Sequence, residues 1–218
     1  MTFMGETHAG YPFAEVVSSE AALRDTLSYP AELSVRKQLD ALDRHCRTFI
    51  GLSPFVLIAT TGATGGGDVS PRGDEPGSVC VLDDHTLAIP ERPGNRRADT
   101  LLNIVQTGHV GLLFLIPGVE ETLRVNGRAQ VVRDPSLLDR TTGTGKRPIL
   151  AIAVSVEECF LHCAKAFKRS RLWQREGWPD RSALPTLGQM LLDQAGLPGV
   201  ELQDLDCAIE ESYAQGLY

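Results

Sequence analysis

Residues 110–133 read VGLLFLIPGVEETLRVNGRAQVVR. Val110–Ile116 is an apolar run of strand length. Glu121–Asn126 and Gly127–Arg133 alternate apolar with polar residues at several positions. A period of two marks strands that bury one face. Outward from there the pattern repeats. Phe55–Thr60 (FVLIAT) reads as a buried strand, and Thr61–Gly67 (TGATGGG) as a flexible turn that fails the P-loop pattern for want of a Gly-Lys-Ser/Thr ending. Asp68–Arg72 (DVSPR) reads as a short strand, and Ser78–Leu82 with Thr86–Ile89 as a hairpin closed at Asp83-Asp84. Ile149–Glu157 reads as the last strand, after a short helix near Pro135–Thr141. Short antiparallel strands around one internal helix predict a closed barrel with few exposed edges. There is no strand–helix–strand rhythm and no GxGxxG after a strand, which argues against a dinucleotide-binding domain of the Rossmann type.

The flanks are helical. Ser18-Ser19-Glu20 opens a short helix through Leu27, and a second helix is expected over Ala31–Phe49, ended by Gly51 and Pro54. In the tail, SALPTLGQMLLDQAG predicts a helix ending at Gly196, and Leu202–Tyr213 a second. The expected organisation is an N-terminal arm and helices over 1–50, a barrel core over 51–175, and a helical extension over 176–218 that packs on the barrel or on a partner subunit.

The chain has 218 residues and a net charge of −7, an acidic balance that argues against general nucleic-acid binding. No apolar run reaches membrane-spanning length, and the start lacks a charged segment followed by an apolar one. A cytoplasmic protein is the expectation. The five cysteines, Cys46, Cys80, Cys159, Cys163 and Cys207, are scattered and form no disulfide framework.

Against that acidic background, Ile89–Val105 (IPERPGNRRADTLLNIV) gathers Arg92, Arg96 and Arg97. Asn95 can cap a helix whose Ala98, Leu101, Leu102 and Val105 repeat on one face. A helix N-terminus offers free N–H groups and the positive end of a dipole, and guanidiniums beside it make a phosphate cradle. The competing reading is a solvated basic face, or ion pairs with Glu91 and Asp99. A second basic cluster, His162–Trp173 (HCAKAFKRSRLW), sets Lys165, Lys168, Arg169 and Arg171 beside Trp173. It suits a planar anionic ring, or else a solvated edge. Cys159, His162 and Cys163 do not share one face of a strand and lack a second ligand pair, so no metal site is expected. In DVSPRGD, Asp68, Ser70, Arg72 and Asp74 read as a ligand wall or as an exposed edge. No nucleophile elbow and no acid–base carboxylate pair is present.

Taken together, SPFVLIATT, DVSPRGD, LAIPERPGNRRADTLLNI, HVGLLFLIPGVEETLRVNGRA and LHCAKAFKRSRLW resemble the pyridoxamine 5'-phosphate oxidase-like family of FMN-binding split barrels. The closest likeness is to its PPOX-type flavoproteins. The resemblance spans about Arg36–Trp173, and the ending ESYAQGLY is similar too. It implies a mainly β fold, a six-stranded antiparallel Greek-key split barrel with flanking helices. It also implies a homodimer with FMN at the interface.

By that resemblance Asn95, Arg96 and Arg97 match the phosphate-binding run. Asp68, Val69, Ser70, Arg72 and Asp74, with Ile89 and Pro90, match the strands along the flavin ring. Thr122 stands where the family has a flavin-contacting Gln. Lys165, Arg169 and Trp173 match contacts supplied by the partner subunit. Ser170-Arg171-Leu172-Trp173 departs from the Arg-Leu-His-Asp-Arg substrate motif of the true oxidase, so vitamin B6 oxidation is not implied. What is implied is an FMN-dependent oxidoreductase passing hydride or electrons between a reduced nicotinamide or other donor and an unidentified small substrate. The alternatives are a flavin-binding or sensing module with little turnover, and an F420-dependent reductase. Relatives of this barrel also bind haem, and fold alone does not choose. Since a flavin performs the transfer itself, no catalytic triad is required.

Overall fold

The computed structural model describes residues 13–143, 145–196 and 198–217. Most of the N-terminal arm expected over residues 1–17 lies outside the described residues. The chain divides into two compact units, one ending at Arg36 and one running from Lys37 onward. The first holds α1 (Glu20–Leu27) and α2 (Glu32–Arg36). Ser19 caps α1 by accepting the Ala22 N–H at 3.2 Å, and Glu32 pairs with Arg36 one turn on. Neither helix buries a residue.

The second unit begins with α3 (Arg44–Leu52), followed by β1 (Phe55–Thr61), β2 (Gly67–Gly73), β3 (Cys80–Val81) and β4 (Thr86–Glu91). Then come α4 (Asp99–Thr107), β5 (His109–Leu115), β6 (Thr122–Val132), α5 (Pro135–Arg140) and β7 (Leu150–His162). It ends in α6 (Lys165–Ser170), two single 3₁₀ turns, α7 (Leu187–Ala195) and α8 (Leu202–Gln215). The helix expected over Ala31–Phe49 is therefore two helices. Leu39 lies between them and exchanges backbone hydrogen bonds with Cys159, at 2.9 and 2.8 Å, which a helical residue could not do. Asp43 then starts α3 afresh by accepting the N–H groups of His45 and Cys46 at 2.9 and 2.8 Å.

All seven strands form one antiparallel sheet in the order β2-β1-β5-β6-β7-β4-β3. The architecture is mainly β with flanking helices, as expected. The expected closure is not found: among the described residues no pairing joins β2 to β3, so the sheet stays open, and it has seven strands rather than six. β5 pairs with the first half of β6 and β4 with the first half of β7, at opposite ends of the long β6–β7 ladder. The two halves expected over 121–133 are one continuous β6, since Gly127 marks an irregularity and not a turn. There Glu157 is the extra residue of a bulge in β7. A Cβ on Gly127 would lie 2.0 Å from the Ser155 carbonyl oxygen, so only glycine lets the strands meet. Past the bulge the buried positions of β7 change from Ile152, Val154 and Val156 to Cys159.

A single core results. β1 contributes Val56 and Ile58, β5 Leu112 and Phe114, β6 Leu123 and Val125, β4 Leu87 and Ile89; α3 adds Cys46 and Ile50 and α4 adds Ile104. Phe114 is fully buried, and its loss would cost about 3–5 kcal/mol. α4 lies on β1: Asn103 Nδ2 donates to Thr60 Oγ1 and Thr107 Oγ1 to the Thr61 carbonyl, each at 3.0 Å. These bonds set its rotation. Thr100 and Ile104 face inward, while Leu102 and Val105, expected on the buried face, are exposed. Among the described residues no helix is long and apolar enough to cross a membrane.

Candidate functional site

A cleft of about 1310 Å³ opens where β2, β4 and the loop entering α4 converge. Ser70 and Arg72 reach it from β2, Asp74 from the turn beyond, and Ile89 and Pro90 from β4; Asn95, Arg96 and Arg97 come from the loop. β2 is an edge strand, which is why Pro71 is tolerated in it without breaking a central ladder. Its alternation turns Asp68, Ser70 and Arg72 to one side and Val69, 61% exposed, to the other. Asp68 and Val69 do not line the cleft, although Asp68 stands within 3.5 Å of the Ser70 hydroxyl.

The charges are largely committed to one another. Arg72 grips Glu91 with both arms of its guanidinium, Nε to Oε2 at 3.0 Å and Nη2 to Oε1 at 3.3 Å. Arg92 is held by Asp74, by the Thr142 carbonyl at 2.9 Å and by the Lys146 carbonyl, and so is a structural arginine and no part of an open cradle. Arg97 pairs with Asp99, Nε to Oδ2 at 2.8 Å, and this hydrogen bond pushes the guanidinium pKa further up. Of the two readings of this run, the ion pair with Asp99 is present, whereas Glu91 pairs with Arg72. Arg96 has no ion-pair partner among the described residues. Six basic side chains (Arg72, Arg92, Arg96, Arg97, Lys146, Arg147) line the cleft against three acidic ones (Asp74, Glu91, Asp99), a local excess of positive charge in an acidic protein.

The entry into α4 is strained. Arg96 and Ala98 both adopt left-handed backbone, φ 62° and 58°, which costs a non-glycine residue about 1–2 kcal/mol. Asn95 does not cap the helix as expected. Its side chain accepts the Arg97 N–H at 3.0 Å, and the helix starts later, at Asp99, with no side-chain cap. The first helical bond runs from the Leu102 N–H to Ala98, so the N–H groups of the first turn have no intrahelical acceptor. Thr100, on the cleft lining, is 2% exposed, and its Oγ1 has no hydrogen-bond partner among the described residues. Sequence reasoning missed Thr100. Its one signal was a hydroxyl at i−4 from Ile104 in an apolar helix.

The other expected site residues lie elsewhere. Thr122 is buried at the start of β6, opposite His162. Lys165 and Arg169 are exposed on α6, and Trp173 donates its Nε1–H to the Val119 carbonyl at 2.9 Å and stacks on Phe167. None of these residues lines the cleft of its own chain: Lys165, Arg169 and Trp173 were expected to contribute only from a partner subunit, whereas Thr122, expected at the position of a flavin-contacting residue, does not reach the cleft lining. Lys168 pairs with Glu120 at 2.7 Å. Cys159 is buried, its Sγ 3.8 Å from that of Cys46, whereas Cys163 is exposed. Among the lining residues that sequence reasoning did not place are Ser53, Phe55, Phe114, the 146–150 segment and the end of α8.

A family model described as Pyridoxamine 5'-phosphate oxidase matches residues 42–163, more than half of the chain. No curated protein matches the sequence. Among solved structures, HupZ of Group A Streptococcus is 20% identical, with 55% of this chain and 92% of that one covered at a TM-score of 0.45. The FAD binding protein of Mycobacterium smegmatis is 17% identical, with 57% and 97% covered at 0.40. An F420 reductase is 18% identical, with 53% and 94% covered at 0.38. At such TM-scores these likenesses transfer neither activity nor ligand, and family membership rests on the sequence match. By that match the chain belongs to the pyridoxamine 5'-phosphate oxidase family.

Proposed function

We propose that the cleft binds FMN and that the protein is an FMN-dependent oxidoreductase of the cytoplasm. One observation carries this reading: the strained loop at Arg96 and Ala98 brings Arg96, without an ion-pair partner among the described residues, to the same cleft as a helix N-terminus whose buried Thr100 hydroxyl lacks a partner among them. Anions stabilise such an end, and a phosphate satisfies several donors there at once. The residues fit the group. The first-turn N–H groups of α4, Thr100 Oγ1 and Arg96 would hold the phosphate, with Arg97 screened by Asp99. Ser70, Arg72, Ile89 and Pro90 would border the ring. Bound FMN supplies hydride or single-electron transfer, between a reduced nicotinamide or another donor and a small substrate.

The same reading includes a homodimer. Val69, Leu102 and Val105 are exposed apolar side chains on β2 and α4, two neighbouring elements beside the cleft, and a second copy of the chain would cover them. Lys165, Arg169 and Trp173 would then complete the partner's site. A flavin-binding module with little turnover is the second reading, favoured by Ser212, Tyr213 and Leu217 of the tail, which narrow the cleft.

The test is the purified full-length protein titrated separately with FMN, FAD and F420 and followed by absorbance and fluorescence. FMN saturating one site per chain is the expected result. A protein that binds none of the three overturns the reading, and a preference for F420 replaces it. Anaerobic reduction by NADH or NADPH and reoxidation in air then separate an enzyme from a binder.

A further inference from the structure

One side of the cleft is built from the C-terminal helix. The last turn of α8 brings Ser212 and Tyr213 to the lining, and the chain beyond it returns Leu217. α8 is steadied by α7, whose Gly188 N–H donates to Asp206 Oδ1 at 3.2 Å. The return depends on Gly216. Its N–H closes on the Ser212 carbonyl at 2.9 Å, and a Cβ there would stand 2.6 Å from that oxygen. Tyr213 keeps 53% of its surface exposed while lining the cleft, so the phenol is no core filler. Phe114, another aromatic residue of the lining, is wholly buried and serves the sheet. The cleft thus offers, at Arg96, a charge without an ion-pair partner among the described residues and an accessible aromatic face at Tyr213.

We propose that Tyr213 is a specificity-determining contact for the planar end of the ligand whose phosphate sits at α4, and that Leu217 screens that end from water. The inference rests on the flavin reading. An aromatic face packs against a flat ring in offset or edge-on geometry, and its hydroxyl keeps a polar edge toward solvent. Ligands without a planar end gain nothing from this wall.

FMN fluorescence tests the assignment, because a phenol in contact with a flavin quenches its emission by electron transfer. Full-length wild-type protein, Tyr213→Ala and Tyr213→Phe are each saturated with FMN, with circular dichroism as the folding control. Tyr213→Ala is expected to raise bound-flavin emission and iodide quenching and to weaken FMN binding about 2- to 12-fold. Tyr213→Phe should keep the affinity and the iodide protection. Emission and iodide access in Tyr213→Ala indistinguishable from wild type overturn the role of Tyr213, while FMN binding that still depends on Arg96 leaves the flavin reading standing. Wild-type protein that binds no FMN overturns both.

Discussion

Arg92 Nε lies 2.6 Å from Asp74 Oδ2, and the two side chains are only 11% and 7% exposed. The pair ties the turn after β2 to the loop after β4. The other two guanidinium nitrogens donate to backbone carbonyls, of Thr142 and Lys146. The cleft therefore has a charged hinge-pin at its base.

Removing one partner of a nearly buried ion pair strands the other charge. Arg92→Ala is expected to destabilise the fold by about 3–5 kcal/mol. Arg92→Lys keeps the charge but loses the fork that reaches both carbonyls, and should recover only part of this. Urea unfolding of the three proteins measures it; a loss within experimental error of zero would show that the pair is structurally idle.

Arg96 and Arg97 are adjacent but are not equivalent. Arg97 already has Asp99, whereas Arg96 has no ion-pair partner among the described residues. Arg96→Ala should weaken FMN binding about 10- to 100-fold, the worth of a charge-assisted phosphate contact. Arg97→Ala should weaken it less. Isothermal titration of each variant decides, and the reverse order would move the phosphate off Arg96.

Asp43 caps α3, and the N–H bonds from Cys46 and His45 hold its carboxyl below the ordinary aspartate value. A lowered carboxyl pKa contributes stability above the unfolded-state value, and the contribution fades as the pH falls through the folded one. Asp43→Ala should cost about 1 kcal/mol near neutral pH. The gap between variant and wild type should narrow below about pH 3 to 4. Denaturant melts across that range check it, and a gap independent of pH would rule out the ionised cap.

The cysteines should differ sharply in reactivity. The bond to Cys159, together with burial, pushes the Cys46 thiol far up, and both sulfurs lie in the core. The Lys165 N–H, followed by the lysine's charge, draws the exposed Cys163 thiol below its usual value. Alkylation near neutral pH, read by peptide mass spectrometry, should label Cys163 first and leave Cys46 and Cys159 untouched until unfolding. Early modification of Cys159 would mean that β7 opens in the native state.

The strands were readable where burial alternates on a regular two-residue period. Phe55–Thr60 and Val110–Ile116 differ from β1 and β5 by a single position at their ends. Reading failed where a tertiary contact reset the local pattern. β7 was cut short at Glu157 because the bulge there shifts the buried face by one residue, and a period-two search loses the strand at that point. α4 was apolar on several sides, so its sequence could not fix its rotation; Asn103 and Thr107, bonding to β1, did. The basic run was legible as an anion site in outline. Its division into one structural arginine, one paired arginine and one without an ion pair was not, because Asp74 lies far back in the sequence. The end of α8 was legible as an ending similar to the family's, but nothing local in it pointed to the cleft.

The bulge also acts as a frame-shift written into the chain. Ahead of Glu157 β7 gives the core cluster the even-numbered Ile152, Val154 and Val156, and after it the odd-numbered Cys159. Deleting that one residue would leave the composition of the strand almost unchanged. With the pairing to β6 kept, Val156 and Cys159 would then stand two positions apart and both still face the core, so the change would be confined to the local bend, and α6 and Trp173, which follow on the same chain, would keep their side of the sheet. The bulge is thus a register absorber: one surplus residue, with the glycine across from it that gives the surplus room, lets Val156 and Cys159, of opposite parity in the sequence, share one face.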